Sequence, residues 1–124
     1  MESKLHGLRN MGKHILNRLY DILQVRKGAD PEGSYVASLY DKGAAKIAEK
    51  IREEAEETIV EGLRLEKSPG DGAIRKALTC ESADLVFHLM VLLAHHDVNP
   101  DEVFAELERR FGISGHEEKA SRGQ

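Results

Sequence analysis

Residues 81–93 read ESADLVFHLMVLL, and this stretch decides the fold. A helix built on it is apolar on nearly every side, which is typical of a helix buried in a bundle. Its polar side chains Glu81, Asp84 and His88 share one narrow sector, because residues three and four apart lie on the same helix face. A carboxylate without a partner in such surroundings is costly. The stretch therefore predicts a counter-charge bound beside this helix.

A second acidic pair lies earlier in the chain, in the run EEAEE at residues 53–57. Glu54 and Glu57 are three residues apart, so both project from one side of a helix. If this helix packs antiparallel against the apolar one, the two acidic pairs converge on one point. Taken alone, the run is more typical of a solvent-exposed helix face. The acidic pair in the apolar helix makes a metal site a better interpretation than a solvent-exposed face, and it favours a cage of four carboxylates.

Hard carboxylate oxygens without cysteine ligands favour Mg²⁺ over Zn²⁺, with Mn²⁺ as the alternative. Four carboxylates within about 5 Å repel each other by roughly 3 kcal/mol per pair at an effective dielectric near 20, which a cation offsets. Lys46 and Lys50 are a competing source of positive charge in a structural salt-bridge network. These two lysines either bind phosphate oxygens beyond the metal or pair along the surface, Lys50 with Glu54. A magnesium site of this kind predicts phosphate chemistry.

Further features of the sequence predict shorter helices and their ends. Apolar side chains recur every three or four positions over residues 12–27, and the run of residues 28–33 ends that helix. Ser34 is expected to cap a short helix, which Gly43 separates from the next one. Asn99, followed by proline, caps a last helix.

The two long helices are predicted at residues 44–65 and 73–96, joined by a loop at residues 67–72. The last helix is expected to end at Gly112. No segment alternates with period two, so the fold class is all-α, a bundle of about four to five helices. Residues 1–112 form one domain.

The composition argues against several classes of protein. With 22 acidic and 18 basic residues and no basic stripe, nucleic acid is not an expected partner. The longest apolar stretch, residues 85–94, is too short for a bilayer, and no signal peptide is recognisable, so we expect no membrane and a cytoplasmic protein. Cys80, the single cysteine, is expected as a small buried side chain. Residues 113–124 have the composition of a frayed tail.

The residues KIREEAEE at 50–57 and ESAD at 81–84 resemble the EExxE and ExxD motifs of the all-α NTP pyrophosphohydrolase superfamily. Further segments resemble the phosphoribosyl-ATP pyrophosphatase family of histidine biosynthesis in particular: residues 33–35, residues 84–93 and the tail residues 115–122. The tail is the most specific of these, because composition alone gives it no function. The resemblance covers about residues 16–122.

This resemblance implies Mg²⁺-dependent hydrolysis of the α,β-phosphoanhydride of phosphoribosyl-ATP to phosphoribosyl-AMP and pyrophosphate. It also implies a homodimer, which suits a chain with one very apolar helix and few aromatics. The implied metal ligands are Glu54, Glu57, Glu81 and Asp84. We expect Glu53 or Glu54 to orient or deprotonate the attacking water. The implied substrate contacts are Ser34, Tyr35, Lys46, Lys50, His88, Lys119, Ser121 and Arg122.

The sequence departs from the family pattern at Arg52, where a small residue is frequent, and at Phe87, where tyrosine is frequent. Two other functions stay open. One is a house-cleaning (d)NTP pyrophosphatase of the same superfamily, which does not require the tail. The other is a non-catalytic bundle that binds a metal or a partner protein through its acidic seam. His88 has its own alternative, a polar residue satisfied at a helix seam.

Overall fold

A computed structural model of the protein describes residues 15–112. The described chain forms five α-helices and one 3₁₀ turn: α1 (residues 15–25), the 3₁₀ turn Arg26–Gly28, α2 (Tyr35–Lys42), α3 (Ala44–Lys67), α4 (Gly72–His95) and α5 (Pro100–Phe111). No strand occurs among residues 15–112, which confirms the predicted all-α class. The expected start of the first helix at residue 12 lies outside the described residues. So do the predicted substrate contacts Lys119, Ser121 and Arg122.

The helix ends lie where the capping residues place them. The Ser34 hydroxyl accepts a hydrogen bond from the backbone N–H of Ala37 at 3.2 Å and so caps α2. Gly43 separates α2 from α3 with φ 91°, a left-handed conformation that favours glycine. Asn99 forms a reciprocal capping box with Glu102 at the start of α5. All three boundaries agree with the sequence prediction.

Helices α3 and α4 form an antiparallel hairpin, with the most extensive contact between any two elements. Their connection, residues 68–71, is slightly shorter than predicted because each helix extends further into it. Asp71 caps α4 by accepting hydrogen bonds from the backbone N–H groups of Ala73 and Ile74. The antiparallel arrangement brings the acidic pair of α3 opposite that of α4.

The hydrophobic core sits at one end of the hairpin, where α1 and α2 pack against α3 and α4. Its buried members are Leu23, Leu39, Ile47, Met90, Val91 and Ala94. Towards the other end of the hairpin, α3 exposes Ile59, Val60 and Leu63. The carboxylates of both helices lie between this core and that exposed end.

Helix α4 is less buried than the sequence predicted, which is a correction. Its buried residues are His88, Met90, Val91 and Ala94. Val86 and Leu89 are exposed, because the other helices of the described chain cover only part of its circumference. Cys80 is also exposed, so the expectation of a buried cysteine was wrong. By length and composition α4 could cross a membrane, a test that core helices of soluble proteins also pass.

Candidate metal centre

Three of the predicted metal ligands converge between α3 and α4. Glu54, Glu57 and Glu81 each offer a carboxylate oxygen within 4.8 Å of the other two. Glu54 is buried, with 8% of its surface exposed, while Glu81 is half-buried and Glu57 is exposed. The Oε2 atoms of Glu54 and Glu81 are buried, and within residues 15–112 no hydrogen-bond donor from outside the carboxylate cluster reaches them. Buried carboxylate oxygens of this kind require a donor or a cation.

The carboxylates perturb one another's protonation. Burial is the main cause that raises the pKa of Glu54, followed by the charge of Glu57. Hydrogen bonding with the Glu57 carboxyl, then burial and the neighbouring charges, raise the pKa of Glu81 to about 7. Without a cation, the cluster therefore retains a proton close to neutral pH. A divalent cation would compete with that proton for the same oxygens.

Asp84 lies beside this cluster but is not one of the three converging residues. Its carboxylate contributes to the raised pKa values of both Glu54 and Glu81, which shows that its charge acts on them. Its side chain is exposed, three residues along α4 from Glu81. The structure thus brings three of the four predicted ligands together directly and places the fourth at the rim.

The residues present fit a hard divalent cation. The converging donors are all carboxylate oxygens, the ligand type that Mg²⁺ and Mn²⁺ prefer, and neither histidine nor cysteine belongs to the group. Mg²⁺ is usually held by a few carboxylates together with waters and substrate phosphates. A cation bound there would satisfy both partnerless oxygens.

The two lysines of α3 do not neutralise the cluster. Lys46 pairs with Glu49 at 3.2 Å and Lys50 pairs with Glu53 at 3.0 Å. The predicted surface pair of Lys50 with Glu54 was wrong, because Glu54 points into the hairpin while Glu53 is exposed. Glu53 therefore lies outside the converging group, at its solvent edge. The lysine network proposed as an alternative to a metal does not form in the described chain.

His88 is engaged by both of its ring nitrogens. Its Nδ1 lies 2.9 Å from the backbone carbonyl oxygen of Asp84, and its Nε2 lies 2.8 Å from the Tyr35 hydroxyl. The imidazole is only 5% exposed. It lies near Glu54, where burial raises the pKa of the carboxyl and His88 opposes that shift. This geometry supports the interpretation of His88 as a polar residue satisfied at a helix seam.

The start of α2 borders the acidic cluster. The pKa of Lys50 is raised first by its hydrogen bond to Glu53 and then by Tyr35, so the tyrosine lies near that lysine. Tyr35 is 52% exposed as a residue, although its hydroxyl contacts a buried histidine. Ser34 and Tyr35 also line a cavity of about 370 Å³ together with Arg26 and Phe87. No short sequence motif signals the pairing of Tyr35 with His88, because 53 positions separate them.

Comparison with known proteins finds one matching family profile and several similar proteins. A profile described as phosphoribosyl-ATP pyrophosphohydrolase matches residues 16–111, a span that includes all three converging carboxylates. A phosphoribosyl-ATP pyrophosphatase of Geobacter sulfurreducens is 49% identical over 89% of this chain and 94% of its own. The phosphoribosyl-ATP pyrophosphatase of Azospirillum brasilense is 50% identical over 87% of this chain and 90% of its own length. The phosphoribosyl-ATP pyrophosphatase of Dinoroseobacter shibae is 52% identical over 87% of this chain and 98% of its own length.

Proposed function

Since this chain belongs to the phosphoribosyl-ATP pyrophosphohydrolase family, we propose that it hydrolyses the α,β-phosphoanhydride of phosphoribosyl-ATP to phosphoribosyl-AMP and pyrophosphate. This reaction is the second step of histidine biosynthesis, and we propose a cytoplasmic location. One observation carries the chemistry, the convergence of Glu54, Glu57 and Glu81 with two buried oxygens that lack a partner in the described chain.

We propose that these three carboxylates hold Mg²⁺, with Asp84 at the rim as a fourth ligand and Mn²⁺ as a substitute. When bound, the cation supplies positive charge to the triphosphate oxygens and to the departing pyrophosphate. The partnerless oxygens of Glu54 and Glu81 support this assignment, because a cation would satisfy both. The raised pKa of Glu81, about 7, also indicates a site that lacks a counter-charge.

We propose that the lysines of α3 bind the remaining phosphate oxygens. Their pairs with Glu49 and Glu53 are partly exposed, and ion pairs in contact with solvent contribute little to stability. A phosphate group, with more charge than a carboxylate, can therefore draw Lys46 and Lys50 away from their partners. This exchange would leave the Glu53 carboxylate without its lysine at the edge of the cluster.

We propose that Glu53 or Glu54 accepts the proton of the attacking water. The water oxygen forms a bond to the α-phosphorus while the bond from that phosphorus to the bridging oxygen breaks. The electron pair of the broken bond leaves with pyrophosphate, and the carboxylate takes the proton. No residue of the chain becomes covalently attached to the nucleotide.

We also infer that two copies of the chain pair through α1 and α4. A groove of about 750 Å³ separates these helices and is lined mainly by apolar side chains, among them Ile15, Leu19, Ile22, Val86 and Phe87. An exposed apolar surface of this kind is typical of an interaction site. The expected species in light scattering after size exclusion has twice the mass of one chain. Val86→Asp should reduce it to a single chain, while Val25→Asp, outside the groove, should not.

An assay of pyrophosphate release tests the catalytic proposal. Purified protein is incubated with phosphoribosyl-ATP and with a panel of dNTPs, each with and without Mg²⁺. We expect Mg²⁺-dependent release with a clear preference for phosphoribosyl-ATP. Preference for a dNTP would instead indicate a house-cleaning pyrophosphatase. Absence of release from every nucleotide would favour a non-catalytic bundle.

A further inference from the structure

Tyr35, the first residue of α2, reaches across to the middle of α4. Its hydroxyl oxygen lies 2.8 Å from Nε2 of His88, and the two rings meet edge to face with centroids 5.9 Å apart. On the other side of the imidazole, Nδ1 lies 2.9 Å from the backbone carbonyl oxygen of Asp84. A continuous chain of hydrogen bonds therefore connects α2 to the turn of α4 that presents Asp84.

The chemistry of the two partners determines the direction of these bonds. A backbone carbonyl can only accept, so Nδ1 of His88 must carry a hydrogen and donate it to Asp84. In the neutral imidazole, Nε2 then accepts the hydrogen of the Tyr35 hydroxyl, and in the charged form Nε2 donates to the same oxygen. Both nitrogens are engaged in either state, and the ring is 5% exposed. Neither nitrogen remains to contact a nucleotide.

We propose that Tyr35 and His88 are positioning residues for the carboxylate cluster and do not contact substrate through their polar atoms. Held on both sides, the imidazole ties the turn of α4 that carries Asp84 to the start of α2, beside Glu54. Such supporting contacts orient the ligands of a metal and strengthen its binding. This inference rests on the proposed cation site, and it departs from the substrate contacts that family resemblance implies for both residues.

Loss of the tyrosine hydroxyl would act on the cluster through the histidine. Without it, the buried Nε2 of His88 would lack a partner, which favours rotation of the ring towards water. Rotation removes the Nδ1 bond to Asp84 and loosens the turn that carries Asp84. The expected consequence is weaker cation binding, with little effect on the nucleotide once the cation is saturating.

Tyr35→Phe tests the proposal, with Tyr40→Phe as a matched control. Each variant removes one tyrosine hydroxyl hydrogen bond, but that of Tyr40 goes to the Leu23 carbonyl oxygen, at 3.0 Å, and not to the cluster. Mg²⁺ binding is measured without substrate, by calorimetric titration and by the rise in melting temperature. We expect Tyr35→Phe to weaken Mg²⁺ binding by about tenfold and Tyr40→Phe to leave it unchanged. At saturating Mg²⁺, the KM of Tyr35→Phe for phosphoribosyl-ATP should equal that of the wild type.

His88→Phe provides a second test, because the phenyl ring takes the place of the imidazole but carries neither nitrogen. It should weaken Mg²⁺ binding as Tyr35→Phe does, and the double variant should be no weaker than either single one. Unchanged Mg²⁺ binding together with a raised KM in Tyr35→Phe would overturn the proposal and make Tyr35 a substrate contact. A wild-type protein that binds no Mg²⁺ would overturn the cation site and this inference together. Equal binding by wild type and Tyr35→Phe would overturn this inference alone.

Discussion

Acidic side chains have opposite environments in two regions of this molecule. Just beyond the C-terminal end of α4, Asp97 accepts hydrogen bonds from Lys27 at 2.7 Å and Gln24 at 3.0 Å, and the bond from Lys27 is the main cause that lowers its pKa. In the middle of the hairpin, Glu54 and Glu81 face other carboxylates, and their pKa values are raised. The first arrangement stabilises the fold, whereas the second is unfavourable until something else binds. Unfavourable charge clusters of this kind are typical of functional sites.

The region around Asp97 has a clear structural role. Asp97 adopts φ 57°, a left-handed conformation that aspartate tolerates better than most residues. Its contacts with Lys27 and Gln24 join the end of α1 to the end of α4, and Gln24 also donates to the Ala94 carbonyl. The charge of this aspartate is therefore compensated by the chain itself.

The largest expected effect comes from neutralising a carboxylate of the cluster. Glu57→Gln should lower turnover of phosphoribosyl-ATP by a factor on the order of 10² to 10³, because an interaction that stabilises the transition state is lost. Asp84→Asn should also abolish most turnover. The melting temperature of the metal-free protein should stay the same or rise, since repulsion within the cluster is relieved.

Glu56→Gln is the matched control for that experiment. Glu56 lies in the same acidic run and on the same helix, but it is exposed and not part of the converging group. Turnover and circular dichroism of this variant should match those of the wild type. Near-normal Mg²⁺-dependent turnover in Glu57→Gln would contradict the proposed cation site.

An intermediate effect is expected from pH. Glu81 has a pKa of about 7 in the folded chain against an ordinary value of 4.5, so between these values the folded state binds more protons than the unfolded state. Stability of the metal-free protein should therefore fall as pH rises through that range. Mg²⁺ replaces the proton, so its stabilising effect on the melting temperature should be larger at pH 8 than at pH 5.5. Glu81→Gln should reduce this pH dependence of the melting temperature. An unchanged pH dependence in this variant would contradict the raised pKa of Glu81.

The smallest effect is expected at Asp97. Asp97→Asn removes only the charge, because asparagine also tolerates the left-handed backbone conformation of this position. Because the pair with Lys27 is partly exposed, the melting temperature should fall by only about 1–3 °C, and less at high salt. Mg²⁺ affinity should not change. A loss of Mg²⁺ affinity would mean that the two acidic regions are coupled.

Local rules predicted most of the helix boundaries. Ser34 and Asn99 cap α2 and α5 as expected, because capping depends on bonds between residues two or three positions apart. Three of the four carboxylates in the two acidic pairs also converge, since three-residue spacing and an antiparallel hairpin leave little geometric freedom, while Asp84 lies at the rim. The same reasoning assigned the wrong partner to Lys50. This lysine pairs with Glu53, because the Glu54 side chain is buried in the hairpin.

Features that depend on what covers a surface were predicted less well. Cys80 and much of α4 were expected to be buried, but within the described chain only one side of α4 is covered. Composition shows that a segment is apolar, but it does not show whether the covering surface comes from the same chain or from a second copy. The exposed Val86 and Leu89 are consistent with the proposed pairing of two chains.

The amino-acid sequence by itself determined the all-α class, the capped helix ends and the two acidic pairs, because each follows from spacing along one helix. Only the tertiary structure decided that Glu54 is buried, that two carboxylate oxygens lack a partner within the described chain, and that Tyr35 meets His88. These facts depend on contacts between residues far apart in the chain. Spacing states which face a side chain occupies, whereas packing decides whether that face meets water, charge or another helix.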